Sequence, residues 1–186
     1  MNRTAKKFES LYQQFINLPE TVIGEILGGE LHVSPRPSPK HSRASSIIGG
    51  ELVGPFDRGR GGPGGWWILD EPEIHLESNI LVPDLAGWKR DVLPTLPEEA
   101  FFAVAPNWIC EVLSPGTTAI DRVKKMPLYA QYGVAHAWLV DPIAKTLEIF
   151  RLEDQRWVLL NSFSDNDRVR AEPFAAIEIE LEGVWS

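Results

Sequence analysis

The chain has 186 residues, the length of one good-sized domain, with 44% hydrophobic and 24% charged residues; a chain of this size buries roughly 70% of its unfolded surface. Those fractions exclude a disordered or collagen-like chain, and fifteen glycines with fifteen prolines favour short strands and turns over a helical bundle. The net charge of −8, from 26 acidic and 18 basic residues, excludes a protein that coats nucleic acid nonspecifically, because that affinity comes from neutralising phosphates.

The single cysteine, Cys110, cannot make an internal disulfide and reads as a buried small hydrophobe in a reducing interior. The first residues contain no apolar leader, and no run approaches the length of a membrane span. A cytoplasmic protein without membrane contact is therefore expected.

In chain order, Phe8, Leu11, Tyr12 and Phe15 recur at helical spacing, which predicts a helix ended by Pro19. Residues 21–34 read as a hairpin turning at Gly28-Gly29. A Pro/Ser loop leads to a helix over roughly Ser42–Leu52. The glycine-rich run 57–65 lacks the Gly-Lys-Ser/Thr ending of a phosphate-binding loop and reads as a mobile connection, although Arg58 and Arg60 leave room for contact with a polyanion. Strands are then expected over 66–77, 80–88 and 107–114, the last nearly continuously apolar as a central strand would be. A helix follows over about Ala119–Tyr132, with Thr118 and Asp121 spaced as a capping box and Gly133 at its end. A strand at 135–141, a hairpin turning at 153–155 and an alternation over Ile177–Leu181 complete the pattern. The whole implies an α/β fold, a mixed β-sheet flanked by helices, with a hairpin near each end.

Two carboxylates stand out. Glu111 shares its strand face with Ile109 and Leu113, and a buried charge is normally paired, metal-bound or neutralised. Asp84 follows Pro83 in an otherwise apolar strand, where an aspartate is unfavourable unless it caps or binds something. Each alone admits a structural reading, as a salt-bridged core glutamate or as a turn. On neighbouring strands the two can converge on a divalent cation, which takes oxygen ligands. Asp121, Lys125 and Tyr129 lie along one helix face at i, i+4 and i+8. They are either a solvated ion pair or a group that reaches Glu111, and Lys124 points elsewhere. Pro127 removes a backbone donor and can kink the turn that carries Lys125. His32, His75 and His136 lack zinc-ligand spacing, Ser114 lies in no nucleophile elbow, and the seven tryptophans read as core.

The run Pro83-Asp84, Glu111-Val112-Leu113-Ser114-Pro115, Asp121-x-x-x-Lys125-x-x-x-Tyr129, Gly133-Val134 and Trp138 to Pro142 resembles the Uma family of the PD-(D/E)XK nuclease superfamily. The hairpin at 24–31 and the stretch ending at His41 are similar to that family's N-terminal signature. The resemblance implies a restriction-endonuclease-like core, with Asp84 and Glu111 as metal ligands. The superfamily's usual lysine position holds Leu113 here, and the resemblance implies that the lysine role has moved to Lys125. Glu30 and Glu25 match family positions on the hairpin, and either approach the site or belong to a solvated strand face; His41 at a helix start either touches phosphate or Glu111 or is a helix residue with no such role.

The expectation is a single domain over 1–186, with a nuclease-like core at 20–152 and a strand extension at 153–186. Its activity would be Mg²⁺-dependent phosphodiester hydrolysis, with Mn²⁺ as a substitute. Asp84, Glu111 and the Val112 carbonyl would hold the ion, and Lys125 would act on the attacking water. Glu30, His41, Asp121 and Tyr129 are accessory candidates. The expected substrate is DNA and the expected assembly a homodimer. An inactive binding module on the same fold is the rival, and a metal-free glycoside hydrolase is a third reading.

Overall fold

The structure is a computed structural model that describes residues 3–185. Helix α1 (Arg3–Ile16) leads into the hairpin of β1 (Val22–Leu27) and β2 (Glu30–Pro35). Gly28 and Gly29, at φ +60° and +79°, make the turn that joins them. Helix α2 (Pro39–Leu52) begins three residues earlier than the sequence suggests, with Ser38 capping the His41 amide, and ends in a π-helical turn, Val53–Asp57.

The region that reads as two long strands is four short ones. Residues 66–77 divide into β3 (Trp66–Asp70) and β4 (Ile74–Leu76), and residues 80–88 into β5 (Asn79–Leu81) and β6 (Leu85–Lys89). β4 and β5 join the first hairpin in a small sheet of order β2-β1-β5-β4, while β3 and β6 belong to the large sheet. The chain thus crosses between sheets twice, once at Glu71-Pro72 and once at Val82-Pro83-Asp84. Glu71 takes a positive φ of 43° at the first crossing, and proline cannot continue the ladder at either. Asp84 sits at the second crossing, at the junction of the sheets.

The large sheet continues through β7 (Trp108–Val112), β8 (His136–Asp141), β9 (Thr146–Glu153) and β10 (Arg156–Ser164), in the order β10-β9-β8-β7-β6-β3. Only β7 and β8 run parallel within it, which requires a helical crossover. That crossover is α3 (Thr118–Ile120), a π-helical turn (Asp121–Lys125) and α4 (Met126–Gln131). Pro127 explains the wide turn: it has no N–H, and its ring would strike the carbonyl four residues back. The Met126 N–H accordingly bonds to the Asp121 carbonyl.

The capping box expected from Thr118 and Asp121 does not form. The Thr118 hydroxyl donates to the Ser114 carbonyl at 2.6 Å, which leaves the Asp121 side chain free to turn inward. The alternation over 177–181 is also mostly not strand. Only Ile179–Glu180 (β12) pairs, because its partner β11 offers just Arg168–Val169, and a short helix α5 (Glu182–Trp185) follows.

Trp88, Trp108 and Trp138 are fully buried, as their apolar strands predict. Phe174 from the tail inserts among Trp66, Trp108 and Trp138 at 4.9–5.7 Å between ring centroids. Val169, Leu181 and Val184 join the same core, so the last segment seals one face of the large sheet. Among the described residues no helix is long and apolar enough to cross a membrane.

Candidate active site

Five segments converge where the sheets meet. β7 delivers Glu111, the sheet crossing delivers Asp84, α2 delivers His41, β1 delivers Glu25, and the π-helical turn delivers Asp121 and Lys125. All six side chains line one cavity of about 390 Å³. Its walls include Ile23 and Val33 of the hairpin and Pro115 and Ile120 of the crossover.

Lys125 is the hub. Its ammonium, 3% exposed, lies 2.9 Å from Glu111 Oε1, 3.0 Å from Glu25 Oε1 and 3.9 Å from Asp121 Oδ1. It also donates to the Val82 carbonyl at 3.0 Å. Tyr129, one turn further on, donates its hydroxyl to the same Glu111 oxygen at 2.6 Å. The i, i+4, i+8 face of the sequence is therefore an inward face. Lys124 points out and pairs with exposed Glu30 at 3.3 Å.

Asp84 is fixed from two sides. Its Oδ2 accepts the Val112 amide at 2.7 Å, which ties the sheet crossing to β7. Its Oδ1 faces His41 Nε2 at 3.3 Å. His41 also interacts with the Val112 backbone, and its Nδ1 is buried without a hydrogen-bond partner. The sequence leaves His41 either against phosphate or Glu111 or without a role; in the structure its partner is Asp84.

The two hairpin glutamates separate. Glu30 is outside the cavity, paired with Lys124 and near His32 at 3.6 Å. Glu25 is inside, 7% exposed, and accepts the Val82 amide at 2.8 Å as well as holding Lys125. Its face-mates on β1 are Ile23 and Leu27, the same signal that singles out Glu111.

The Uma2 family profile, described as "Putative restriction endonuclease", matches residues 8–182. The chain belongs to the Uma2 family. A crystal structure titled as a putative nuclease belonging to DUF820, from Anabaena variabilis, superimposes with a TM-score of 0.75 at 22% identity, covering 93% of this chain and 96% of that one. That likeness shows the fold. No protein among those of curated description matches significantly.

The electrostatics of this Uma2 site follow from burying four carboxylates around one ammonium. Burial pushes the Glu111 carboxyl well above its ordinary range; Lys125 opposes this, while Asp121, Asp84 and Glu25 add to it. Asp121 is raised to about 6, again chiefly by burial, with Lys125 and a Thr117 hydrogen bond acting against it. For Lys125, burial alone would lower the pKa, but Glu111, Glu25, Asp121 and Asp84 outweigh it and hold the ammonium charged above its ordinary range. Burial likewise works against charging His41, and Asp84 overcomes it, so His41 titrates above its ordinary value.

The carboxylates of Asp84, Glu111, Glu25 and Asp121 suit a hard cation in kind, because such an ion takes oxygen ligands. Among the described residues no three His, Cys, Asp or Glu side chains are grouped as a ready metal cage. A cation there would take one or two carboxylates and draw its other ligands from water and substrate phosphate, the usual mode for Mg²⁺. The surplus of carboxylates over Lys125 gives such an ion an electrostatic reason to bind.

Proposed function

We propose that this Uma2 protein is a divalent-metal-dependent endonuclease that hydrolyses phosphodiester bonds in DNA. The observation that carries the reading is the pair Asp84 and Glu111 at the floor of the cavity, with the Lys125 ammonium 2.9 Å from Glu111. Asp84, Glu111 and the Val112 carbonyl would hold the ion, Mg²⁺ or Mn²⁺ in its place. When bound, that ion would acidify a water and polarise the scissile phosphate.

The chain's own groups divide the remaining work. Lys125 offers N–H donors to the attacking water or to charge that develops on phosphate oxygen. Glu25 and Asp121 orient Lys125, and Tyr129 fixes the Glu111 carboxylate. His41 does the same for Asp84. Burial of Glu111, Lys125 and Asp121 strengthens each of these interactions. Cutting both strands of a duplex is simplest with two copies of one site, which favours a homodimer in the cytoplasm.

The test is calorimetric titration of Mg²⁺ and Mn²⁺ into wild type and Asp84→Asn, followed by nicking of supercoiled plasmid. Metal binding lost in the variant, together with metal-dependent nicking by wild type only, is expected. Nicking that persists without divalent ions, or in Asp84→Asn, refutes the mechanism. Metal binding without nicking of any DNA would favour the binding-module reading.

A further inference from the structure

A second concavity, about 470 Å³, lies on the outer side of α2 between that helix and the glycine-rich loop. Ser46, Gly49, Gly50, Gly54, Arg58 and Arg60 line it. It adjoins the catalytic cavity: Asp70 at its floor pairs in register with Leu85, the residue after Asp84, and the Glu71 amide bonds to the Asp84 carbonyl at 3.0 Å.

Its cations are uncommitted. In this acidic chain Arg36, Arg90, Arg122, Lys124, Arg151 and Arg168 are tied up in ion pairs. Arg58 and Arg60 at the far end of α2, and Lys40 and Arg43 on its first turns, are all exposed and make no ion pair among the described residues. Between those ends the lining is small, Ser46, Gly49, Gly50 and Gly54, with exposed Glu51 the acidic residue on that stretch of α2. A side chain added at Gly50 or Gly61 would meet nothing within 4 Å, so another chain can approach closely. The 14 residues of α2 span about 21 Å, roughly six base-pair steps along the axis of B-DNA.

We propose that this groove carries the sugar–phosphate backbone of the strand flanking the cleaved bond, with Arg58 and Arg60 at one end and Lys40 and Arg43 at the end nearest His41. The inference rests on the nuclease reading and assigns its substrate path. Asp70 is the acidic group in the lining, and burial raises its carboxyl above the ordinary range.

The experiment measures anisotropy of a fluorescein-labelled 20-nucleotide strand and its duplex, each against Asp84→Asn protein to prevent cleavage, across a salt series. Adding Arg58→Ala and Arg60→Ala is expected to lower the slope of log K against log salt by about 1–2, and affinity at 0.1 M salt by roughly 10- to 60-fold. Exposed Lys145 and Arg156, changed to alanine on the same background, should leave the slope unchanged. An unaltered slope in the Arg58/Arg60 variant overturns the groove, as does an equal loss in the Lys145/Arg156 control. Binding by Asp84→Asn in either case leaves the nuclease reading intact. If neither Asp84→Asn nor wild type binds strand or duplex at any salt, both fall together.

Discussion

Replacing Lys125 by methionine keeps most of the packing and removes the one ammonium at the centre of the cluster. Glu111 and Glu25, at 2.9 and 3.0 Å, lose their cation, and the Val82 carbonyl loses a donor. Breaking a buried pair by removing one partner costs about 3–5 kcal/mol, which in a domain of this size lowers Tm by roughly 6–20 °C. The cost must depend on pH. Burial already holds the Glu111 carboxyl well above its ordinary range against the pull of Lys125, and in the variant that pull is gone, so it rises further. A carboxyl whose folded pKa is raised favours the fold below the unfolded value, about 4.3 for glutamate, and that advantage is lost as pH rises through the folded pKa. Lys125 itself stays charged throughout in wild type and contributes no slope. Urea unfolding at pH 5 and pH 8 should therefore show a small deficit at pH 5 that widens to the full amount at pH 8, and millimolar Mg²⁺ should narrow it by supplying the missing charge. A variant as stable as wild type at pH 8, or a deficit equal at both pH values, would refute this account of the cluster.

Tyr129→Phe deletes the 2.6 Å hydrogen bond to Glu111 and should cost about 1.5–3 kcal/mol in urea unfolding, the range for bonds to charged groups. In Asp84→Asn the His41 imidazole loses the carboxylate that raises its pKa, so an NMR titration of its ring protons should shift to lower pH. Glu30→Ala removes surface contacts with Lys124 and His32 and should change stability by less than about 0.5 kcal/mol, with plasmid nicking at the wild-type rate.

Much of the site was legible where a carboxylate interrupts an apolar face. Glu111 between Ile109 and Leu113 is the clearest instance; helical spacing puts Asp121, Lys125 and Tyr129 on one face but leaves open whether that face is solvated or turned toward Glu111. Glu25 carries the same mark between Ile23 and Leu27, while Glu30 on the same hairpin matches the family equally well and lies outside the cavity. Which of the two enters the cavity depends on how the small sheet docks, and that is a long-range fact. The division of 66–88 between two sheets was hidden for a related reason. Short apolar runs on either side of Pro72 and Pro83 look continuous, and only the pairing partners, β1 for β5 and β7 for β6, show that the direction changes. The wide turn before Pro127 was foreseeable as a disturbance of the backbone but not in its form.

The sheet crossing at Asp84 and the central place of Lys125 also bear on when the cavity can come into being as the chain is synthesised. Glu25 and Lys125 are 100 positions apart, and every carboxylate of the cluster precedes the lysine that neutralises it. Until that lysine has emerged, drawing Glu111 out of water is opposed by an uncompensated charge, and β7 still lacks its parallel neighbour at 136–141. Vectorial folding from the N-terminus can therefore shape the hairpin and α2 early, but the buried cluster cannot close before Lys125 has emerged. A partly made or prematurely ended chain holds the same acids as ordinary solvated side chains, without the cavity that gathers them.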